Sequence, residues 1–302
     1  MPPLFSPSTK EFTKEARKLN FSLFQWLHGY FYLNYPYIYI GNGTGEYRSA
    51  KIYIWFTHFF RRLLRLPPKG KPENPMETTI AKNYHGKVLP LEKATQLVSI
   101  QQDLEITYPE QVIPFKTARN LILNKPDHIV ALNCPCRVVR KDPCLPLDVC
   151  LIVGEPFASM IMAQHADKAH WVDSEEAIKI LEAEERRGHV HHAFFKDVML
   201  DRFYAICNCC SCCCGAMQAQ RNGVPMLISS GYISQVNIDL CRRCGVCARV
   251  CPFEAIFMKD DKPFIDEEKC MGCGVCVEHC IQEALSLKLA PQKGVPMEIP
   301  GF

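Results

Sequence analysis

Apolar residues recur at helical spacing in one stretch near the N-terminus. In "KIYIWFTHFFRRLLRLPPKGK" the positions Ile52, Trp55, Phe56, Phe59, Phe60, Leu63 and Leu64 fall along one face. Lys51, Arg61, Arg62 and Arg65 add charge, and Pro67-Pro68 ends the element. The pattern predicts an amphipathic helix suited to its own core, a partner protein or an anionic membrane surface. Just before it, "YPYIYI" alternates as a strand does. Leu19 to Gly45 contains no Lys, Arg, Asp or Glu. A membrane span needs about 20 mostly apolar residues. Five tyrosines together with Gln25, His28, Asn34 and Pro36 argue against one here.

Further along, "WVDSEEAIKILEAEERRGHV" predicts a helix. Asp173 with Glu176 makes a start like a capping box, Gly188 an end, and Ala177, Ile178 and Leu181 a narrow apolar face. Near the C-terminus "QVNIDL", "AIFM", "PFIDEE" and "ALSL" predict short strands in two hairpins. "PKGKPENP" at 68–75 predicts a linker. The expected organisation is an aromatic and basic N-terminal arm over 1–75, a cysteine-rich α/β domain over 76–231, and a small domain with its tail over 232–302. The fold class is α+β as a whole.

Composition narrows the chemistry. With 302 residues, 48% of them hydrophobic, the chain can bury a core. A net charge of +3 gives no phosphate-binding surface, which excludes nucleic acid as the expected partner. The 18 cysteines change the picture most. Disulfide-dense chains are usually short and secreted because they lack core. This one is core-rich, and its start lacks the charge and apolar pattern of a signal peptide. A reducing cytoplasm, with thiolates kept for metal, is expected. The Asn-x-Ser/Thr triplets at Asn20 and Asn42 are then chance matches.

Eight of the cysteines form a repeat. "CRRCGVCARVCPFEAIF" from Cys241 and "CMGCGVCVEHCIQEALSL" from Cys270 superimpose with an offset of 29 residues. Each reads Cys-x2-Cys-x2-Cys-x3-Cys. Three thiolates at that spacing wrap one face of a cubane, and the fourth points to the cluster of the other repeat. A zinc ribbon uses two distant Cys-x2-Cys pairs and does not fit. The pattern resembles the bacterial two-[4Fe-4S] ferredoxin domain over about residues 232 to 289. That resemblance implies one cluster on Cys241, Cys244, Cys247 and Cys280 and a second on Cys270, Cys273, Cys276 and Cys251. Pro252 follows Cys251 as the family pattern requires, but Ile281 follows Cys280, so the first cluster is expected to have an altered surround. Ala255 and Ala284 take equivalent small positions. Arg242, Arg243 and Arg249 lie beside ligands, either favouring the reduced cluster or forming a solvated face.

Ten cysteines remain: Cys134, Cys136, Cys144 and Cys150 in one segment, and Cys207, Cys209, Cys210, Cys212, Cys213 and Cys214 in "CNCCSCCC". With "CPCR" at 134 and "PLDVCL" at 146, residues of about 110 to 230 resemble uncharacterised iron-sulfur proteins of anaerobes. That resemblance brings no reaction. Ten thiols suffice for one or two additional iron-sulfur centres, divided by loop or held jointly by both loops. Adjacent cysteines such as Cys209 and Cys210 point roughly opposite ways when extended, so a doublet can serve two sites or two sides of one large cluster. Zinc or unligated thiols are the alternatives. The helix between the two segments is expected to be scaffold. The histidines of "GHVHHAFF" (His189, His191, His192) are read as a partly exposed turn rather than ligands. "GNGTG" at 41 lacks the lysine of a P-loop and the spacing of a dinucleotide fingerprint.

These features predict an iron-sulfur electron carrier, or the electron-transfer subunit of an anaerobic redox complex, meeting redox partners through its N-terminal arm. A peripheral contact with the cytoplasmic membrane face stays open. The rivals are a reductase whose middle cluster is catalytic, and a redox-sensing or cluster-assembly protein. No catalytic residue is assigned.

Overall fold

The strands Ile129–Leu132 and Cys150–Val153 carry alternate residues to opposite sides of one sheet, and that alternation decides where the thiols go. The computed structural model describes residues 6–50, 52, 83–108 and 120–302. The 51–65 helix, apart from helical Ile52, and the 68–75 linker lie outside the described residues. Three helices open the chain: α1 (Pro7–Lys18), α2 (Leu23–Asn34) and α3 (Pro36–Gly43). The large sheet follows, built from β1 (Tyr84–Leu89), β2 (Leu104–Thr107), β3 (Asn120–Leu123), β4 (Ile129–Leu132), β5 (Cys150–Val153), β6 (Ala169–Val172), β7 (Val190–Lys196), β8 (Arg202–Cys209) and β9 (Leu227–Ile228). Interspersed are α4 (Leu91–Val98), α5 (Pro135–Val138), α6 (Phe157–His165), α7 (Ser174–Arg186) and α8 (Gly215–Arg221).

The strand order is β6-β4-β5-β8-β7-β1-β9, with β3 joining β8 and β2 joining β3. Among the described strands only β1–β9 and β3–β8 pair in parallel. This corrects the α/β expectation for the middle region, which is a mostly antiparallel sheet with helices on both faces. Short connections explain the difference: β7 turns straight into β8, where Leu200 and Asp201 take positive φ. An antiparallel neighbour needs no helical crossover.

One face buries Val130, Leu132, Cys150, Ile152, Phe194 and Tyr204 under α1, α2 and α6. The other buries Ile129, Ala131, Leu151, Val153 and Ile206 under α4 and α7. Helix α7 starts as its sequence predicts. Asp173 is the N-cap, its side chain accepting from Glu176 N at 2.8 Å, and Gly188 takes φ +80 just past the end. Ala177 and Leu181 are fully buried.

The N-terminal helices pack on the thiol-bearing face. Ser22 caps α2 in a reciprocal capping box with Gln25. Phe12, Ala16, Tyr32 and Leu33 enter the core. A Cβ on Gly29 would lie 2.4 Å from Val198 O, so only glycine lets α2 approach that closely. "YPYIYI" is not a strand: Pro36 sits at the first turn of α3, where its missing N–H costs nothing, and Tyr37 and Tyr39 pack against the core. Packing of those rings decides the conformation over the alternation. Among the described residues no helix is long and apolar enough to cross a membrane.

The C-terminal region holds β10 (Tyr232–Val236), α9 (Val246–Val250), β11 (Ile256–Lys259), β12 (Lys262–Ile265), α10 (Val275–Glu278) and β13 (Leu285–Leu289). Strands β11 and β12 form a hairpin, whereas β10 pairs with β13, joining the two ends of the region. The expectation of two hairpins is corrected to that extent, and "NIDL" is turn rather than strand. Helix α10 packs on α7.

Candidate metal centres

In the C-terminal region two cavities mark the two repeats. One, of about 160 Å³, is lined by Cys241, Cys244, Cys247 and Cys280. The other, of about 10 Å³, is lined by Cys251, Cys270, Cys273 and Cys276, with Pro252 and Ala255. Each gathers three thiols from one repeat and the last from the other. Backbone donors reach the sulfurs: Arg243 N to Cys241 Sγ (3.4 Å), Ser234 N to Cys270 Sγ (3.4 Å) and Ala255 N to Cys251 Sγ (3.3 Å). Such donors favour thiolate over thiol. Burial works the other way, pushing Cys276 up to about 12 and raising Cys273 well above the usual thiol range. Buried sulfurs of this kind ionise readily only against a bound cation. The donor set and the amide contacts therefore fit iron-sulfur clusters.

The two cavities differ in exposure. Cys270, Cys273 and Cys276 are buried, while Cys244 is exposed and Ile281, beside Cys280, is 86% exposed. Arg242, Arg243 and Arg249 lie on the solvated face. Gly272 explains the tighter packing of the second repeat. It has φ +64, and a Cβ there would meet Tyr232 O at 2.2 Å. The equivalent residue of the first repeat is Arg243, which takes φ +58 in the open.

The middle cysteines divide into two groups, each drawing on both segments. The sulfurs of Cys144, Cys210, Cys212 and Cys213 all lie within 4.8 Å of one another near the surface. The other six form a continuous string. Cys207 meets Cys150 (3.7 Å), Cys150 meets Cys134, Cys134 meets Cys136, Cys136 meets Cys214, and Cys214 meets Cys209 (3.2 Å). Sulfur proximity groups these thiols across the two segments rather than loop by loop. The doublets split between groups: Cys209 and Cys214 belong to the string, Cys210 and Cys213 to the outer four. Strand alternation places Cys207 and Cys209 on one face of β8, and Cys150 stands opposite Cys207 on β5.

Burial pushes Cys144 up to about 12, and Cys210 also rises through burial. Cys212 differs: burial opposes its ionisation, but hydrogen bonds with Cys144, Cys210 and Cys213 hold it below the usual thiol range. All six thiols of the string, and Cys210, line a cavity of about 840 Å³ under α2 and α3. Its far wall includes Tyr39, Tyr84 and Lys196. The Lys196 ammonium stands 4.8 Å from the Tyr84 ring centre and 5.3 Å from that of Tyr32, and burial lowers it to about 8.

A buried polar network, not foreseen from residue spacing, braces this region. Arg137, the arginine of "CPCR", is 1% exposed. Its guanidinium donates to Pro146 O, Glu184 and Asn208 O (3.1 Å), tying the first cysteine segment to α7 and β8. Against the burial that would raise it, His189 and Arg137 hold Glu184 below the usual carboxylate range. Glu185, the next residue, lies 2.9 Å from His191 Nε2, and His191 Nδ1 lies 2.6 Å from Asn208 Oδ1. Helix α7 is thus more than scaffold, since its two glutamates sit beneath the ligand segments. "HVHH" is not an exposed turn. His191 and His192 are fully buried in β7, which the alternation of "VHHAFF" obscured because the strand is covered on both faces. Burial, with the charge of His191, lowers His192 to about 3 and keeps its ring neutral.

Comparison with known proteins bears on the C-terminal region. A family model described as a 4Fe-4S dicluster domain matches residues 234–281. Over 38 residues the chain is 45% identical to pyruvate synthase subunit PorD of Thermotoga maritima, a stretch covering 13% of this chain and 38% of that protein. The chain thus spans well under half the length of that relative. Residues 234–281 are a 4Fe-4S dicluster domain.

Proposed function

We propose that this protein passes single electrons through two [4Fe-4S] clusters in its C-terminal domain to or from additional iron-sulfur centres in its middle region. Cys241, Cys244, Cys247 and Cys280 hold one cluster, and Cys251, Cys270, Cys273 and Cys276 the other. When bound, such clusters exchange one electron at a time at a potential set by their surround. The chain's part is to fix the sulfurs, supply amide donors and exclude water from the second repeat. The observation carrying the extension beyond a ferredoxin is the gathering of all ten middle cysteines into a buried string of six and an outer group of four. Thiols brought together from segments some 60 residues apart, with buried Arg137 bracing them, suit metal ligation better than chance proximity.

The protein works as a component of a larger redox assembly. Exposed Leu23, Phe24, Leu27 and Phe31 on α2 offer an apolar face for a partner at the N-terminal arm. A cytoplasmic location, with or without peripheral membrane contact, agrees with reduced thiols. A second reading, reduction of a small molecule at the buried thiols, is favoured by the 840 Å³ cavity, which lies in the range of ligand sites, about 300–1,000 Å³.

Electron paramagnetic resonance of the anaerobically purified, dithionite-reduced chain tests the proposal. It should show a signal from the middle region beside the ferredoxin pair. Cys209→Ser should remove only the former, and Cys273→Ser should alter only the latter. A spectrum unchanged by Cys209→Ser would leave a plain ferredoxin.

A further inference from the structure

Three histidines stand close together in "GHVHH", and two have partners. His189 Nδ1 lies 2.7 Å from Glu184, and His191 bridges Glu185 and Asn208. His192 differs. It is fully buried, and its ring nitrogens make no well-formed hydrogen bond among the described residues, the nearest partner being the Val190 backbone. Its ring is tilted against Phe194 at 5.9 Å. An imidazole shut away from water with at most one poor backbone contact is costly, and such groups are normally found paired.

The sheet register shows what His192 adjoins. It is directly opposite Cys207 on β8, and Cys207 is directly opposite Cys150 on β5. Opposed residues of antiparallel strands share a face, with Cβ atoms roughly 4.5–5.5 Å apart. His192, Cys207 and Cys150 therefore form one row across three strands, on the face that carries the buried string. His191 points to the other face, toward α7. The row ends in an imidazole where the thiols stop.

We infer that His192 is a nitrogen ligand of the iron centre held by the six buried thiols, completing its coordination on the β7 side. The inference rests on the reading that those thiols hold an iron-sulfur centre. A neutral imidazole is the ligating form, and iron-sulfur centres accept histidine in place of cysteine, with a rise in potential.

The test uses the full chain with its histidines labelled by ¹⁵N. Pulsed resonance on the middle-region signal should show a strongly coupled nitrogen whose frequency changes on labelling. His192→Phe should abolish it, His191→Gln should keep it, and His192→Cys should lower the potential of that centre. The ferredoxin signals report folding in each variant. A middle signal without histidine coupling in the unmodified chain would overturn the inference while sparing the reading beneath it, and so would a coupling that survives His192→Phe. Absence of any middle-region iron would overturn both.

Discussion

The C-terminal domain and the middle region both gather cysteines, but by different means. In the dicluster domain each group of three lies within seven residues of chain, and short loops do the gathering. In the middle region the string runs from Cys134 to Cys214 and depends on β5 and β8 lying side by side. The first arrangement is written in spacing and the second in tertiary structure. The C-terminal sites should therefore tolerate damage elsewhere, while the middle sites should fail with the packing that supports them.

The sharpest way to break that comparison is Arg137→Met. It leaves Glu184 buried beside His189 without its guanidinium, and removing one partner of a buried pair costs about 3–5 kcal/mol. Calorimetry should show Tm falling by roughly 10 °C. The middle-region resonance should vanish while the ferredoxin signals persist. Next comes Gly272→Ala, which adds a Cβ at 2.2 Å from Tyr232 O at positive φ. A cost of at least about 2 kcal/mol is expected, with disturbance of the second ferredoxin cluster alone. Arg243→Ala, at the equivalent open position, should leave chemical denaturation nearly unchanged. A smaller effect is expected of Cys212→Ser. Its side chain is exposed, so iron should be lost from the outer group with a stability change within about 0.5 kcal/mol. The smallest is Arg249→Gln on the solvated face. Loss of that charge should lower the first cluster's potential by about 10–40 mV, less at high salt, in a spectroelectrochemical titration.

The same contrast governs what could be read from the chain alone. Cys-x2-Cys-x2-Cys-x3-Cys is a local code, so the dicluster domain was legible, as was α7 from Asp173 and Gly188. A doublet such as Cys209-Cys210 left two sites, or two sides of one large cluster, open. That choice depends on Cys150 facing Cys207 across β5 and β8, a pairing that no local spacing encodes. Arg137 was visible in "CPCR" as a motif but not as a brace, because its partners Glu184 and Asn208 are 47 and 71 residues away. Glu184 and Glu185 carried no sign of burial, since charged residues are seldom buried. His192 read as part of a partly exposed turn because its strand is covered on both faces and lacks a polar alternation. The aromatic run at 35–40 misled because tyrosine suits strands, while Pro36 and packing on the sheet made it helical.

The most direct test is the ratio of iron and acid-labile sulfide to protein in the chain purified without oxygen. Two [4Fe-4S] clusters account for about eight irons per chain, and thiol-held centres in the middle region raise the ratio to about twelve or more. A value of twelve or above, falling in Cys150→Ser by the share of iron held on the buried string, is the predicted result. A ratio that stays near eight in the unaltered chain would contradict the account and leave the ten middle cysteines without iron.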